Sequence, residues 1–313
     1  MKAGSKALRE RGDVAATETR NAGVKGDGKA DGTAKLAASM TAAMQKRSGK
    51  PDARAMKPVK PGMPEKVALV TGSAKRLGRE LALTLAASGH FTFVHYLSSP
   101  REAKAVLGEI EARGGRGALI KGNMGSKRDI VAMAAKVKST AGRLDVLVNN
   151  VGIYRTGDLL GYDVADFEAT LQTNLVGAFY LIQRVLELFP VSGGSIVNIG
   201  YSGVESLTGS THNTAYLISK SGLLVLTKSL AQALGPRRIR VNMVSPGILA
   251  NSVELPKRPG DIIPLGRLGG CEDVCDAVDF LSGTKAGYIT GVNLDVAGGY
   301  MLGLKELDVD RGT

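Results

Sequence analysis

The sequence predicts an α/β fold, a single doubly wound parallel sheet with helices on both faces. Three observations carry that expectation. From Lys66 onward, short apolar runs alternate with longer stretches of helical period. The runs are apolar nearly throughout instead of every second residue, as strands covered on both faces are. Turn-forming residues close three of them: Thr71-Gly-Ser-Ala-Lys-Arg-Leu-Gly78, Asn149-Asn-Val-Gly152 and Pro246-Gly247. Strict β/α alternation requires right-handed crossovers, and hence a parallel sheet.

In chain order, the expected strands are Lys66–Thr71, Phe91–Tyr96, Gly117–Gly122, Leu144–Asn149, Ser195–Ile199, Ile239–Ser245 and Val292–Val296. Each is a short run rich in Val, Ile and Leu. The stretches between them are long enough for helices, expected over Leu77–Ser88, Arg101–Arg113, Lys127–Thr140, Asn174–Phe189, Thr214–Leu234 and Cys271–Leu281. No internal repeat and no second apolar core is evident. We therefore expect one domain over residues 63–313.

The chain has 313 residues and a formal net charge of +12. Such a charge invites a nucleic-acid reading, so its location matters. Residues 1–62 hold 14 Lys/Arg and 6 Asp/Glu, while the remainder holds 27 and 23. Most of the excess is therefore N-terminal. That segment is rich in Ala, Gly and Lys and has no aromatic residue. It cannot bury enough apolar surface to offset chain entropy, so we expect a disordered basic tail at 1–62. It lacks the apolar core of a secretory signal, and its acidic residues disfavour a transit peptide. Met56 and Met63 are alternative start sites. We expect no nucleic-acid partner. No run approaches the ~20 apolar residues of a membrane span, and a cytoplasmic location is the default. Two cysteines, Cys271 and Cys275, are too few for a disulfide framework. With no partner ligands nearby, helix packing is a better reading of them than a metal site, and we expect no metal.

The chemistry centres on Tyr216-Leu-Ile-Ser-Lys220. Tyrosine and lysine four residues apart on a helix share a face. A nearby ammonium favours the phenolate and is expected to lower the tyrosine's pKa toward neutrality. Upstream, Gly72 and Gly78 permit a tight turn between the first strand and its helix. The helix N-terminus, near Leu77, then offers free N–H groups to a pyrophosphate. The second strand ends His95-Tyr96-Leu97-Ser98-Ser99 with no carboxylate, and Lys75 and Arg76 stand in the turn. Cations and hydroxyls suit the 2′-phosphate of NADPH better than the bare ribose of NADH.

These motifs, in this order over residues 65–302, resemble the short-chain dehydrogenase/reductase family. Several segments are similar to its pteridine reductases: Thr71 to Gly78 with its Arg76, His95-Tyr96, Pro246 to Pro256, and Lys285 to Tyr300. The resemblance implies a Rossmann-type domain. It makes Tyr216 the general acid, and Lys220 a holder of the nicotinamide ribose that also tunes Tyr216. Asn174, at the start of its helix, would hold a relay water. The NADP cradle would use Gly72, Lys75, Arg76, Leu77, Gly78, His95, Tyr96 and Ser98. It would continue through Asn123, Met124, Asn150, Gly152, Pro246, Gly247 and Ile248.

Three departures stand out. The family's orienting serine falls at Tyr201 counted from Asn198. Ser202, fourteen residues before Tyr216, is the better hydroxyl if one residue is inserted between, and Tyr201 then faces the substrate. Asn123-Met124 replaces the usual Asp, and Ser98 replaces an Arg. Tyr154 stands where pteridine reductases carry an aromatic that stacks on the substrate, with a pocket-lining role as the plainer alternative.

The leading expectation is NADPH-dependent reduction of a pteridine-like or other carbonyl or imine substrate. The alternatives are a 3-oxoacyl-thioester or other ketone reductase, a catalytically silent NADP-binding regulator, and a polyanion binder acting through the tail. The helices Asn174–Phe189 and Thr214–Leu234 carry more apolar residues than one sheet-facing stripe needs. In the second, Leu217, Leu224 and Leu230 fall off the stripe set by Ile218, Val225 and Leu226. A homotetramer is expected, or failing that a dimer.

Overall fold

The computed structural model describes residues 66–252 and 255–302. The tail expected at 1–62 lies outside the described residues. The elements alternate as the sequence predicts: β1 Lys66–Val70, α1 Arg76–Ala87, β2 His90–Tyr96, α2 Pro100–Ala112, β3 Gly117–Lys121, α3 Lys127–Thr140 and β4 Val146–Asn149. Then come α4 Val164–Leu171, α5 Gly177–Val185, β5 Gly194–Ile199, α6 Thr214–Leu234, β6 Ile239–Pro246, α7 Cys271–Ser282 and β7 Asn293–Val296.

All seven strands are parallel, in the order β3-β2-β1-β4-β5-β6-β7. Successive strand residues point to opposite faces, and this divides the core in two. Ala68, Val70, Val94, Val148 and Val244 pack with Leu81, Val106 and Val274 of α1, α2 and α7. Val67, Leu69, Phe93, Leu147 and Val241 pack with Ile130, Leu181 and Ala231 of α3, α5 and α6. Cys275 belongs to the first cluster, where burial pushes its thiol up to about 12. Because β1 and β4 are neighbours, the connections after them leave in opposite directions. A crevice opens there at the strands' carboxyl ends. Among the described residues, no helix is long and apolar enough to cross a membrane.

Two expectations need correction. The helix expected from Asn174 to Phe189 begins at Val164 and is broken by a π-helical turn, Gln172–Val176, before α5. Asn174 is thus buried inside a helical run instead of starting one. On α6 the stripes are also reversed. Leu223 and Leu224 are buried, while Ile218 and Val225 are 45% and 65% exposed.

After β6 the chain leaves the sheet at Ile248 and returns at Gly269. The two sides of this excursion are pinned to each other. Gly269 N donates to Ile248 O at 3.0 Å, and Ala250 N donates to Gly269 O at 2.9 Å.

Candidate active site

The turn after β1 is held from the β4 side. Thr71 Oγ1 accepts from Asn150 N at 2.9 Å and Val151 N at 3.0 Å, and Asn150 Nδ2 donates to Thr71 O at 2.8 Å. A Cβ on Gly78 would stand 2.1 Å from Gly72 O and 2.6 Å from Asn150 Nδ2, so no other residue fits there. No side chain caps the start of α1, which leaves its first N–H groups and dipole end for an anion. Such a cradle fits a dinucleotide. Arg76 has φ +50°, in the region where glycine is ordinary, and it lines the catalytic cavity. Lys75 pairs with Glu102 at 2.8 Å, both half-exposed.

His95, expected in the cofactor site, is a buried strut instead. Its Nδ1 accepts from Gly72 N at 2.8 Å, so its Nε2 carries the proton donated to Gly122 O at 3.0 Å. Burial lowers its pKa to about 4, and it stays neutral. It shapes the phosphate turn without offering charge to a phosphate. Neighbouring Tyr96 is half-buried and Ser98 is exposed at the crevice edge. Asn123 is exposed too, and its Oδ1 already accepts from Gly125 N at 2.9 Å. Met124, next in the chain, is buried.

Lys220 is 2% exposed, and its Nζ donates to Ile199 O at 2.6 Å. Desolvation brings its pKa down to about 8. The Nζ lies 5.7 Å from the Tyr216 ring centroid. Gly152 lies against it, at a separation where even a Cβ would make only ordinary contact with the Nζ, 3.4 Å away. The expected lowering of the Tyr216 pKa is not found. Burial raises it, and Tyr154 and Tyr201 add to the rise. A raised pKa keeps the proton on the hydroxyl until a stronger base forms beside it, as suits an acid.

Asn174 is bonded to protein through both its amide oxygen and its amide nitrogen. Its Oδ1 accepts from Ile153 N at 2.7 Å, and its Nδ2 donates to Ile153 O and to Ser219 Oγ, each at 3.0 Å. Ser219 Oγ donates in turn to Tyr216 O at 2.7 Å. The Asn174 amide therefore fixes the strand-four loop against α6. Ser202 is buried at the cavity wall, its N–H donating to Pro246 O at 2.9 Å. Tyr201 lines the same cavity, and its ring also packs on the cluster of Val204, Leu223 and Met243. Tyr154 meets Tyr216 edge-on, with ring centroids 5.0 Å apart.

Tyr216, Ser202, Tyr201 and Tyr154 converge on a cavity of about 750 Å³ that Pro246, Gly247 and Ile248 back, with Lys220 and Asn174 buried behind Tyr216. A slightly larger cavity, about 810 Å³, lies at the strands' amino ends around Lys66, His90 and Tyr288. It holds none of the paired acid and lysine chemistry, so the reaction belongs to the first. Ser219, the Ile199 carbonyl and the Tyr300-Met301 wall were not singled out from the sequence. Only the adjacency of Ser219 to Lys220 could have drawn attention to it.

Comparison with known proteins agrees with this geometry. A family profile described as enoyl-(acyl carrier protein) reductase matches residues 72–301. The 3-oxoacyl-(acyl-carrier-protein) reductase FabG of Staphylococcus aureus is 37% identical over 241 residues, covering 75% of this chain and 97% of that protein. FabG of Aquifex aeolicus is 38% identical over 242 residues, 75% of this chain and 96% of that one. Among solved structures, a blue fluorescent protein from a metagenomic library in complex with NADPH is 33% identical, with TM-score 0.71, covering 76% of this chain and 98% of that one. The landomycin C-6 ketoreductase LanV with bound NADP and rabelomycin is 30% identical, with TM-score 0.71, covering 77% and 98%. A parallel sheet in this strand order, a glycine cradle at its switch point and a Tyr216–Lys220 pair over the catalytic cavity, together with these similarities, make the chain an oxidoreductase of the short-chain dehydrogenase/reductase family.

Proposed function

We propose that the chain uses NADPH to reduce the 3-keto group of an acyl thioester to a hydroxyl. The observation that carries this is the Tyr216 hydroxyl, opening beside the dinucleotide cradle onto a large cavity. The chain's similarity over nearly the full length of 3-oxoacyl-(acyl-carrier-protein) reductases supports that substrate class. When bound, the nicotinamide supplies the hydride that reaches the keto carbon. Tyr216 gives its proton to the carbonyl oxygen as negative charge builds there, and Ser202 orients that oxygen. Lys220 sits where it can hold the ribose, and its charge stabilises the phenolate left when Tyr216 gives up its proton. Gly72, Gly78 and the first turn of α1 hold the pyrophosphate. The Lys75–Glu102 pair is exposed and so worth little. A 2′-phosphate at the end of β2 can draw Lys75 to itself, with the Ser98 and Ser99 hydroxyls beside it.

One observation favours a second reading. The Tyr154 ring beside Tyr216 could flank a flat heterocycle, as in a pteridine substrate. NADPH oxidation with acetoacetyl-CoA, dihydrobiopterin, dihydrofolate and simple diketones decides between them. Turnover of acetoacetyl-CoA supports the thioester reading, and turnover of dihydrobiopterin alone replaces it with the pteridine one. The exposed stripe of Ile218 and Val225, with Val176 and Phe179 at 38% and 37% exposure, supports assembly into a homotetramer or dimer. Light scattering reads this directly, and a mass near the 32.6 kDa of one chain would exclude it.

A further inference from the structure

We propose that the outer part of the catalytic cavity is an acyl-chain channel, walled by Tyr201, Leu217, Leu255, Pro256, Tyr300 and Met301, which selects 3-oxoacyl thioesters with chains longer than acetoacetyl. The inference rests on the thioester reading above and specifies its substrate.

The wall residues come from four separate segments yet line the same cavity as Tyr216. Arg76 and Leu77, at the cofactor end of that cavity, belong to the phosphate turn. The apolar wall belongs to other segments than the phosphate turn and shares its cavity with Tyr216. Its side chains are left uncovered, with Leu255 51% and Met301 41% exposed. Leu207, beside the cavity-lining Thr208, and Leu302, beside Met301, are 72% and 83% exposed. Single exposed leucines are ordinary, but apolar residues clustered at the mouth of a reactive cavity are not.

The backbone points the same way. The described non-glycine residues with positive φ are Arg76, Leu207, Arg238 and Met301. All but Arg238 stand around this cavity. Bulky side chains are held in the left-handed region only where the surroundings over-determine them, and such positions gather at functional sites. Met301 has φ +70°, and its side chain lies across Gly203, where a Cβ would come within 3.2–3.3 Å of its atoms. Gly203 is thus the seat that admits Met301. Among the described residues, no Lys, Arg, Asp or Glu lines this cavity apart from Arg76 in the phosphate turn, and the polar remainder (Thr208, Ser210, Asn213, Asn251 and Ser252) is uncharged, so it suits an acyl chain and not a charged head group. Flexible Met and Leu side chains adapt to a chain of variable length.

The test is kcat/KM of the full-length enzyme with NADPH on acetoacetyl-CoA and on 3-oxooctanoyl-CoA. A fully buried methylene is worth about fourfold in binding. Several half-buried ones should favour the longer substrate by about tenfold or more. Met301→Asn, which tolerates the left-handed backbone, and Leu255→Ser should each cut that ratio several-fold, with the fold checked by circular dichroism. Turnover of both thioesters with equal kcat/KM would overturn the channel alone. Turnover of neither would remove the thioester reading and the channel with it. A preference seen only after removal of residues 303–313 would identify the chain's own terminus as the occupant, and would also overturn the proposal.

Discussion

Lys220→Met is the sharpest test of the electrostatics of the site. Lys220 falls from an ordinary pKa of 10.5 to about 8, with burial as the sole cause. In the unfolded chain it recovers the ordinary value. Below pH 8 both states carry the proton, and the fold bears the full penalty of a buried charge. That penalty is about 3.4 kcal/mol, from a shift of roughly 2.5 at 1.36 kcal/mol each. As pH rises from 8 toward 10.5 the folded lysine loses its proton first and the penalty lifts. The parent protein should therefore gain about 2.5 kcal/mol between pH 7 and pH 10, relative to a variant with nothing to titrate there. Methionine matches lysine in length but leaves Ile199 O without its 2.6 Å donor, at a cost of about 1–3 kcal/mol that is independent of pH. At pH 7 the variant should be about as stable as the parent or somewhat more so, and at pH 10 clearly less so. It should not turn over substrate at either. The chain has no Trp, so urea unfolding is best followed by circular dichroism at the two pH values. Parallel pH profiles for the two proteins would refute the assignment of a strongly perturbed lysine.

Tyr216→Phe keeps the ring against Tyr154 but removes the acid. It should cost on the order of 10²–10⁴ in kcat with NADPH affinity nearly unchanged, and normal turnover would exclude Tyr216 as the donor. NADPH should bind at least about tenfold more tightly than NADH, a difference of ~1.4 kcal/mol. Arg76→Gly, which relieves a positive φ, should shrink that preference without destabilising the fold. Nicotinamide fluorescence titration reads both. Gly78→Ala drives a methyl group onto the Gly72 carbonyl. It should cost roughly 2–4 kcal/mol of stability and abolish cofactor binding, as seen in thermal melts with and without NADPH.

The residues that fix the sheet were legible because periodicity reports burial. The helix bounds of α3 and α6 match the sequence expectation residue for residue. The π turn was not legible, because one extra residue in a helix leaves the composition unchanged and only shifts the phase of an already weak pattern. In α4 only Thr170 is buried, so its stretch carried almost no periodic signal. His95 was misread because a residue at a strand end can face either the ligand or the core. Its neighbours Gly72 and Gly122, which settle the matter, lie far away in sequence. On α6 the apolar positions were visible but not their direction, since two apolar stripes on one helix look alike until one meets a sheet. The Tyr216–Lys220 pair was legible because a single helical turn fixes its geometry. The lysine's depressed pKa was not, because it depends on burial by strands distant in the chain.

The pinned neck at Ile248 and Gly269 has an evolutionary consequence. Within the excursion a second anchor follows, where Ile263 is buried and Leu265 N donates to Gly298 O at 3.0 Å, so Leu255 and Pro256 lie between two fixed points. Leu255 and Pro256, which face the cavity, are thus carried on a segment whose ends do not move when its contents change. Loop closure grows slowly with length, by about 0.6 kcal/mol per doubling. Insertions there are nearly neutral for folding, and they leave Tyr216, Lys220 and the glycine cradle untouched. The segment behaves as an exchangeable cassette, through which a lineage can sample new substrates at a fixed reaction centre. Grafting the corresponding stretch from a relative should transplant preference for the acyl or ring portion while the chemistry stays where it is.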